Sequence, residues 1–327
     1  MQGRTEHKMA AEQKLIETIK NKPEYLQKYY YSLNTKSHTT KNRYILNILR
    51  FLDYHGEDVS NIDTFEIERF MDSIKYYKKY GVVKELGEDA IACMYCSLNS
   101  FTTFLALNGY IAKNPFDNRA IQRPKAKEKE ITFLTPDEVR SVEQAILNGV
   151  GSKRARSQQS KYKYRDMLLF RIPVINGIRV TALGEIDIDD LDLEDNSITV
   201  TEKGNITKKV YFDSKTREYL IQWMCQRKEI MPWTENRALF ISNKHCRLTT
   251  SGIEDIIMKY TQAATNKHIT PHKLRSTCGT NLYQAKKDIY LVADVLGHKS
   301  TAPTKRYTKV FDEDRREAIN TMADLYD

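Results

Sequence analysis

Apolar residues return at helical spacing four times within the first 110 positions. Residues 9 to 21 read as a short polar helix, and Pro23 and Glu24 then open the first apolar pattern through Leu26, Tyr29, Tyr30 and Leu33. After a polar break at Asn34 to Thr40, the residues Tyr44, Ile45, Ile48, Leu49 and Leu52 follow the 3.6-residue period, with Thr39 or Thr40 as N-cap. Ile62 to Tyr80 reads as a third helix with Phe65, Ile67, Phe70, Met71 and Ile74 on one face and Gly81 as its stop. The fourth runs from about Gly87 to Leu107, carries Met94, Leu98, Phe101 and Leu105, and ends at Asn108-Gly109. The pattern predicts a small all-α bundle. It serves either as packing alone or, through Lys36, Lys41, Arg43, Lys75, Lys78 and Lys79, as a grip on a phosphate backbone.

Between Asn114-Pro115 and Glu130 the apolar period disappears into Arg123-Pro124-Lys125-Ala126-Lys127-Glu128-Lys129, which reads as an extended linker. The expected domains are therefore residues 1–113 and 131–327, joined by 114–130. The second opens on Thr135-Pro136-Asp137-Glu138, a capping box with proline at the first helical position. Gly151 to Lys163 is expected to be a polar loop whose basic residues touch phosphate or are simply solvated. Residues 164 to 175 form an apolar helix that delivers the chain to Asn176-Gly177 and Arg179. Two β-like runs, Ser197 to Thr201 and Lys209 to Phe212, turn through Lys203-Gly204-Asn205. Helices are expected over Lys215 to Lys228, Ser251 to Ala264, Pro271 to Gln284 and Ile289 to Leu296. The terminal helix, Asp312 to Tyr326, puts Ala318, Ile319, Met322 and Leu325 on one face. The fold class is mainly α with a small β-sheet.

Composition changes this picture in three places. Lys and Arg total 52 against 43 Asp and Glu, a net charge of +9, which favours a polyanionic partner, most simply nucleic acid. No apolar run approaches the roughly 18 residues of a membrane span and the amino terminus lacks a signal-peptide core, so the expected location is cytoplasmic, with no membrane partner. Cys93 and Cys96 have CxxC spacing but no second pair, and Cys246 beside His245 lacks partners. They are read as thiols, and no metal or cofactor is expected.

The chemistry concentrates between Thr270 and Tyr307, in His272-Lys273-Leu274-Arg275, Leu296-Gly297-His298 and Thr304-Lys305-Arg306-Tyr307, with Arg179 far upstream. Splitting a phosphodiester without metal or ATP builds charge on the non-bridging oxygens. Arginines answer that charge best, because the planar fork binds two phosphate oxygens and stays protonated. Arg179 and Arg275 are the candidates. Tyr307 as nucleophile would conserve the bond energy in a link to the 3′ phosphate. The leaving 5′ oxygen needs a proton, which Lys203 on its turn can supply, while His272 and His298 orient phosphate oxygens and relay the tyrosine proton. Lys208 and Lys209 compete with Lys203 for that role, since they sit on the same presumed hairpin.

In this order and spacing the boxes resemble the tyrosine recombinase family, which includes phage and transposon integrases and the Xer proteins. The resemblance covers residues of about 22 to 320. It implies an N-terminal helical core-binding domain and an α+β tyrosine recombinase catalytic domain that close as a C-shaped clamp on double-stranded DNA at specific recombination sites. It also implies a homo-tetramer assembled through the C-terminal helix, strand exchange through a Holliday junction, and a nucleoid-associated role in integration, excision, or chromosome or plasmid resolution. No arm-binding domain precedes residue 22, so the simpler two-domain type is expected. Two alternatives share the fold: type IB topoisomerase activity, and a DNA-binding protein that does not cleave. One departure stands out. Where family members carry an acid three positions after the first arginine, this chain has Ala182, and Glu185 is the expected substitute.

Overall fold

The computed structural model describes residues 12–79, 81–117, 121–124, 130–202, 206–232, 235–298, 300–310 and 312–324. The chain divides into two compact units, Met1–Lys129 and Glu130–Asp327.

In the first unit, residues 12–19 are helical and are followed by α1 (Glu24–Ser32), α2 (His38–His55), α3 (Thr64–Ser73) and α4 (Glu88–Leu107). Their apolar stripes meet in one core, with Leu26, Ile45, Ile48, Phe51, Ile67, Phe70, Leu98 and Phe101 buried. The N-cap of α2 is Ser37, which accepts from the Thr40 amide, in place of the expected Thr39 or Thr40. By length and hydropathy α4 could cross a membrane. Its apolar side instead supplies this core, and its buried Ser97 and Thr102 are satisfied by Asn47 and Asn114.

The expected helix over Ile62 to Tyr80 is corrected. It stops at Ser73, and Tyr76–Lys79 (β1) pairs antiparallel with Val82–Glu85 (β2). The period-3.6 pattern ends at Ile74; beyond it Tyr76, Tyr77, Val82 and Val83 are the aromatic and β-branched types that favour a pleated strand. All four are exposed, so no core face holds this stretch in a helix. The unit is thus helical with a hairpin, not all-α. Asn114, Phe116 and Ile121, at the start of the expected linker, are buried against the same core.

The second unit begins with the capping box at Thr135 and α5 (Pro136–Asn148). The polar loop expected from Gly151 to Lys163 is also corrected: Lys153–Ser160 is a helix, α6, capped by Ser152 and with no buried residue. A helix that is polar all round leaves no apolar period to read. Next come α7 (Lys163–Asn176) and α8 (Val180–Glu185). A three-stranded antiparallel sheet follows, in the order β3 (Leu191–Asp192), β4 (Ser197–Glu202), β5 (Ile206–Tyr211). The chain closes with α9 (Ser214–Ile230), α10 (Thr250–Thr265), α11 (Pro271–Lys286), α12 (Ile289–Val295) and α13 (Asp312–Asp324).

Both α7 and α11 are buried on nearly every side, which puts polar groups inside. Asp166 takes Arg165 and the Tyr260 hydroxyl, and the buried Thr277 donates back to the Lys273 carbonyl while accepting from the Leu134 amide. Buried polar groups hold their place only when paired in this way. The result is a rigid pair of central helices whose ends carry the candidate chemistry.

Candidate active site

The end of α7 sets the first arginine. Gly177 closes the helix in the left-handed region, φ +59°, and a side chain there would sit 2.3 Å from Leu296 Cδ2. Only glycine satisfies both the backbone angle and that approach. The next turn places Arg179 as the extended N-cap residue of α8, its side chain about a third exposed.

Proline at the first position of α11 starts that helix one residue before His272, and Arg275 follows one turn later. Arg275 is only 3% exposed, and its two terminal nitrogens donate to main-chain carbonyls, Nη1 to Gly177 at 2.6 Å and Nη2 to Leu296. Burial, then the nearby Arg179 charge, lower its pKa from the ordinary guanidinium value, with Glu202 and Tyr307 acting the other way.

After α12 the chain turns through Gly297 to His298, whose amide donates to the Ala293 carbonyl. His298 Nδ1 lies 2.8 Å from the hydroxyl of Thr304, itself fully buried, so one ring nitrogen is committed and Nε2 remains. Tyr307 sits in a 3₁₀ turn over Lys305–Val310, and its ring is packed with Cys278, Val292 and Leu296 of its own chain. A methyl group on Gly279 would come within 2.8 Å of Tyr307 Cε2. The missing side chain at 279 is the space the tyrosine ring occupies.

Both histidines are held below their ordinary pKa. For His272 the first cause is the protein packed about its ring, although solvent reaches the residue, and then the charges of Arg306, Arg275 and Arg179. For His298 it is burial, then Arg275 and Arg179, opposed by Glu202. Mutual perturbation of this kind requires proximity. Arg179, His272, Arg275, His298 and Tyr307 therefore gather at one place, from segments as much as 128 positions apart. Lys203 lies outside the described residues; β4 ends at Glu202 and β5 begins at Ile206, and these two residues pair.

Two residues of this site escaped the sequence reading. Arg306 brings a cation to His272 and lies 5.9 Å over the Tyr307 ring. Glu202 forms an ion pair with Arg179. Its neighbour in the sequence, Lys203, drew attention for its turn; nothing local marks the glutamate as a partner for a residue 23 positions earlier.

Comparison with known proteins decides the family. The model of the phage integrase family matches residues 132–314, more than half of the chain. The chain belongs to the phage integrase family. Among its relatives is the tyrosine recombinase XerC of Vibrio cholerae, 28% identical over 220 residues, an alignment that spans 67% of this chain and 66% of that protein. Among solved structures, the fold is similar to the XerH site-specific recombinase bound to its difH substrate, with TM-score 0.65 and 22% identity over 90% of this chain and 82% of that one. It is also similar to a lambda integrase tetramer bound to a Holliday junction, with TM-score 0.61 and 19% identity over 85% and 77%. The mainly helical fold with small sheets expected from the sequence is shared with these recombinases.

Proposed function

We propose that this chain is a site-specific DNA recombinase, which cuts and rejoins duplex DNA through a phosphotyrosine at Tyr307. The observation that carries the reading is the convergence of two arginines and two neutral-leaning histidines on a tyrosine, in a chain of net charge +9. Arg179 and Arg275 hold the non-bridging oxygens of the scissile phosphate. The Tyr307 oxygen forms its bond to phosphorus as the bond to the 5′ oxygen breaks. A depressed imidazole accepts the tyrosine proton, and Lys203 gives one to the leaving oxygen. The reverse attack by a 5′ hydroxyl reseals the strand, so exchange between two sites passes through a Holliday junction. Lys203 is favoured as the acid because its two rivals are engaged: Lys209 pairs with Asp195 at 3.0 Å, and Lys208 pairs with Glu202.

Because Tyr307 packs on its own α11, each protomer supplies its own nucleophile. Assembly as a tetramer on DNA runs through α13, where Ile319 and Met322 are 70% and 46% exposed. An amphipathic helix that leaves its apolar residues uncovered fits a groove on a neighbouring copy, and the lambda integrase of similar fold is a tetramer on its Holliday junction. The first unit serves as the core-binding domain, and the protein works on the nucleoid in the cytoplasm, in integration, excision or resolution.

Incubation with a pool of nicked duplexes of randomised sequence tests this. The wild type should form an SDS-resistant DNA adduct enriched in one sequence, and Tyr307→Phe should form none. An equal adduct from Tyr307→Phe would overturn the assignment. Relaxation of supercoiled DNA with no sequence enrichment would favour the topoisomerase.

A further inference from the structure

We infer that Glu202 is the positioning residue for Arg179 in this protein, and that it replaces the acid which position 182 lacks. The inference rests on the recombinase reading above. Ala182 is buried, 3% exposed, within α8, and Glu185, the substitute expected from the sequence, ends that helix. The carboxylate that meets Arg179 comes instead from the last residue of β4, with its side chain 8% exposed.

Three features make this more than a surface pair. First, Glu202 meets a second cation on its other oxygen: Oε1, buried and with no hydrogen-bond partner, lies 3.3 Å from Lys208 Nζ across the same hairpin. Second, Lys208 also donates to the Val295 carbonyl at 3.2 Å, at the end of α12. Third, the Gly297 turn leaves no room for a side chain on this side, since a methyl group there would lie 3.3 Å from Lys208 Nζ and 3.4 Å from Glu202 Oε2. One carboxylate thus pairs with the start of α8 and with Lys208 of β5, beside the turn that leads to His298. A carboxylate holding one guanidinium nitrogen leaves the remaining donors of Arg179, about a third exposed, to face a phosphate. Supporting residues of this kind fix the orientation on which transition-state stabilisation depends.

The experiment is a double-mutant cycle on Glu202 and Arg179, read by single-turnover cleavage of the nicked duplex recovered from wild-type adducts and by DNA affinity. Glu202→Gln should bind that duplex within about twofold of wild type yet cleave it roughly ten- to a hundredfold more slowly. Glu202→Asp should recover most of the loss, and Glu202→Gln should slow Arg179→Ala by less than about twofold. A purely structural role would slow both backgrounds equally, and that result, or unchanged cleavage by Glu202→Gln, would overturn the inference. Thermal unfolding of the same four proteins without DNA supplies a second readout. Non-additive shifts support the pair and additive ones refute it, even if the wild type forms no adduct and the recombinase reading fails.

Discussion

Arg275 and Arg179 reach one site with different kinds of support. Arg275 leaves the second turn of a helix buried on nearly every side and is held by two main-chain carbonyls, one of them on the glycine that ends α7. Its orientation follows from the packing of α7, α11 and α12, and nothing that titrates is involved. Arg179 stands at a helix start, a third exposed, and its support is a side chain on a β-hairpin. One half of the site is therefore set by the fold and the other by charge. The fold-set half should fail through stability and the charge-set half chiefly through rate.

The largest test replaces each arginine by alanine. Arg275→Ala strips two buried carbonyls of their donor, at about 1–3 kcal/mol each, and removes a phosphate ligand as well. It should lose both detectable cleavage and several degrees of melting temperature. Arg179→Ala should cut cleavage about a hundred- to a thousandfold. Its unfolding free energy should change by less than that of Arg275→Ala, since Arg179 is itself about a third exposed and Lys208 still faces the Glu202 carboxylate. Equal melting temperatures in the two variants would remove the distinction.

Gly177→Ala attacks the fold-set half without touching a charged group. The left-handed backbone costs alanine about 1 kcal/mol, and forcing a methyl group against Leu296 costs about 1–3 more. Gly151 has φ +85°, but a methyl group there meets only Ala155 Cβ at 3.8 Å. Gly151→Ala should therefore show the backbone cost alone, about 1 kcal/mol in urea unfolding. If the two glycines cost the same, the contact with Leu296 does not anchor Arg275.

This contrast also explains what was legible in the sequence. The candidate residues that the fold gathers could be singled out because the proposed chemistry restricts residue type, and the helix ends at Pro271 and Gly177 because proline and glycine have few other uses there. The core of the first unit was readable from the period of Ile45, Ile48 and Leu52. The hairpin at residues 76–85 was missed because Gly81 reads as a helix stop as readily as a turn between two strands, and α6 because it has no apolar face. Glu202 was not legible at all. Its role depends on bringing a strand end beside a helix start, and a pairing across that distance leaves no periodic trace. Ala182 did mark where support was absent, but the supplier came from another element.

The smallest effect is also the most selective. In the free protein the pKa values of His272 and His298 lie below the ordinary value, so between those values and about 6.5 the unfolded chain binds more protons than the folded one. Stability should accordingly decline as pH falls through the window below about 6.5 and level off above it. The two rings differ in one respect. Glu202 raises the pKa of His298, which follows the Gly297 turn beside that carboxylate, whereas the charges that lead at His272 are Arg306, Arg275 and Arg179. Imidazole proton signals followed by NMR from pH 4.5 to 8 should therefore show Glu202→Gln moving the His298 midpoint further down while that of His272 stays in place. Equal movement of both would mean that the carboxylate acts on the site as a whole, and the division into a fold-set and a charge-set half would not hold. Bound phosphate acts in the opposite direction, favouring imidazolium at both rings. The acid limb of cleavage should then lie at lower pH in kcat/KM, which reports the free enzyme, than in kcat.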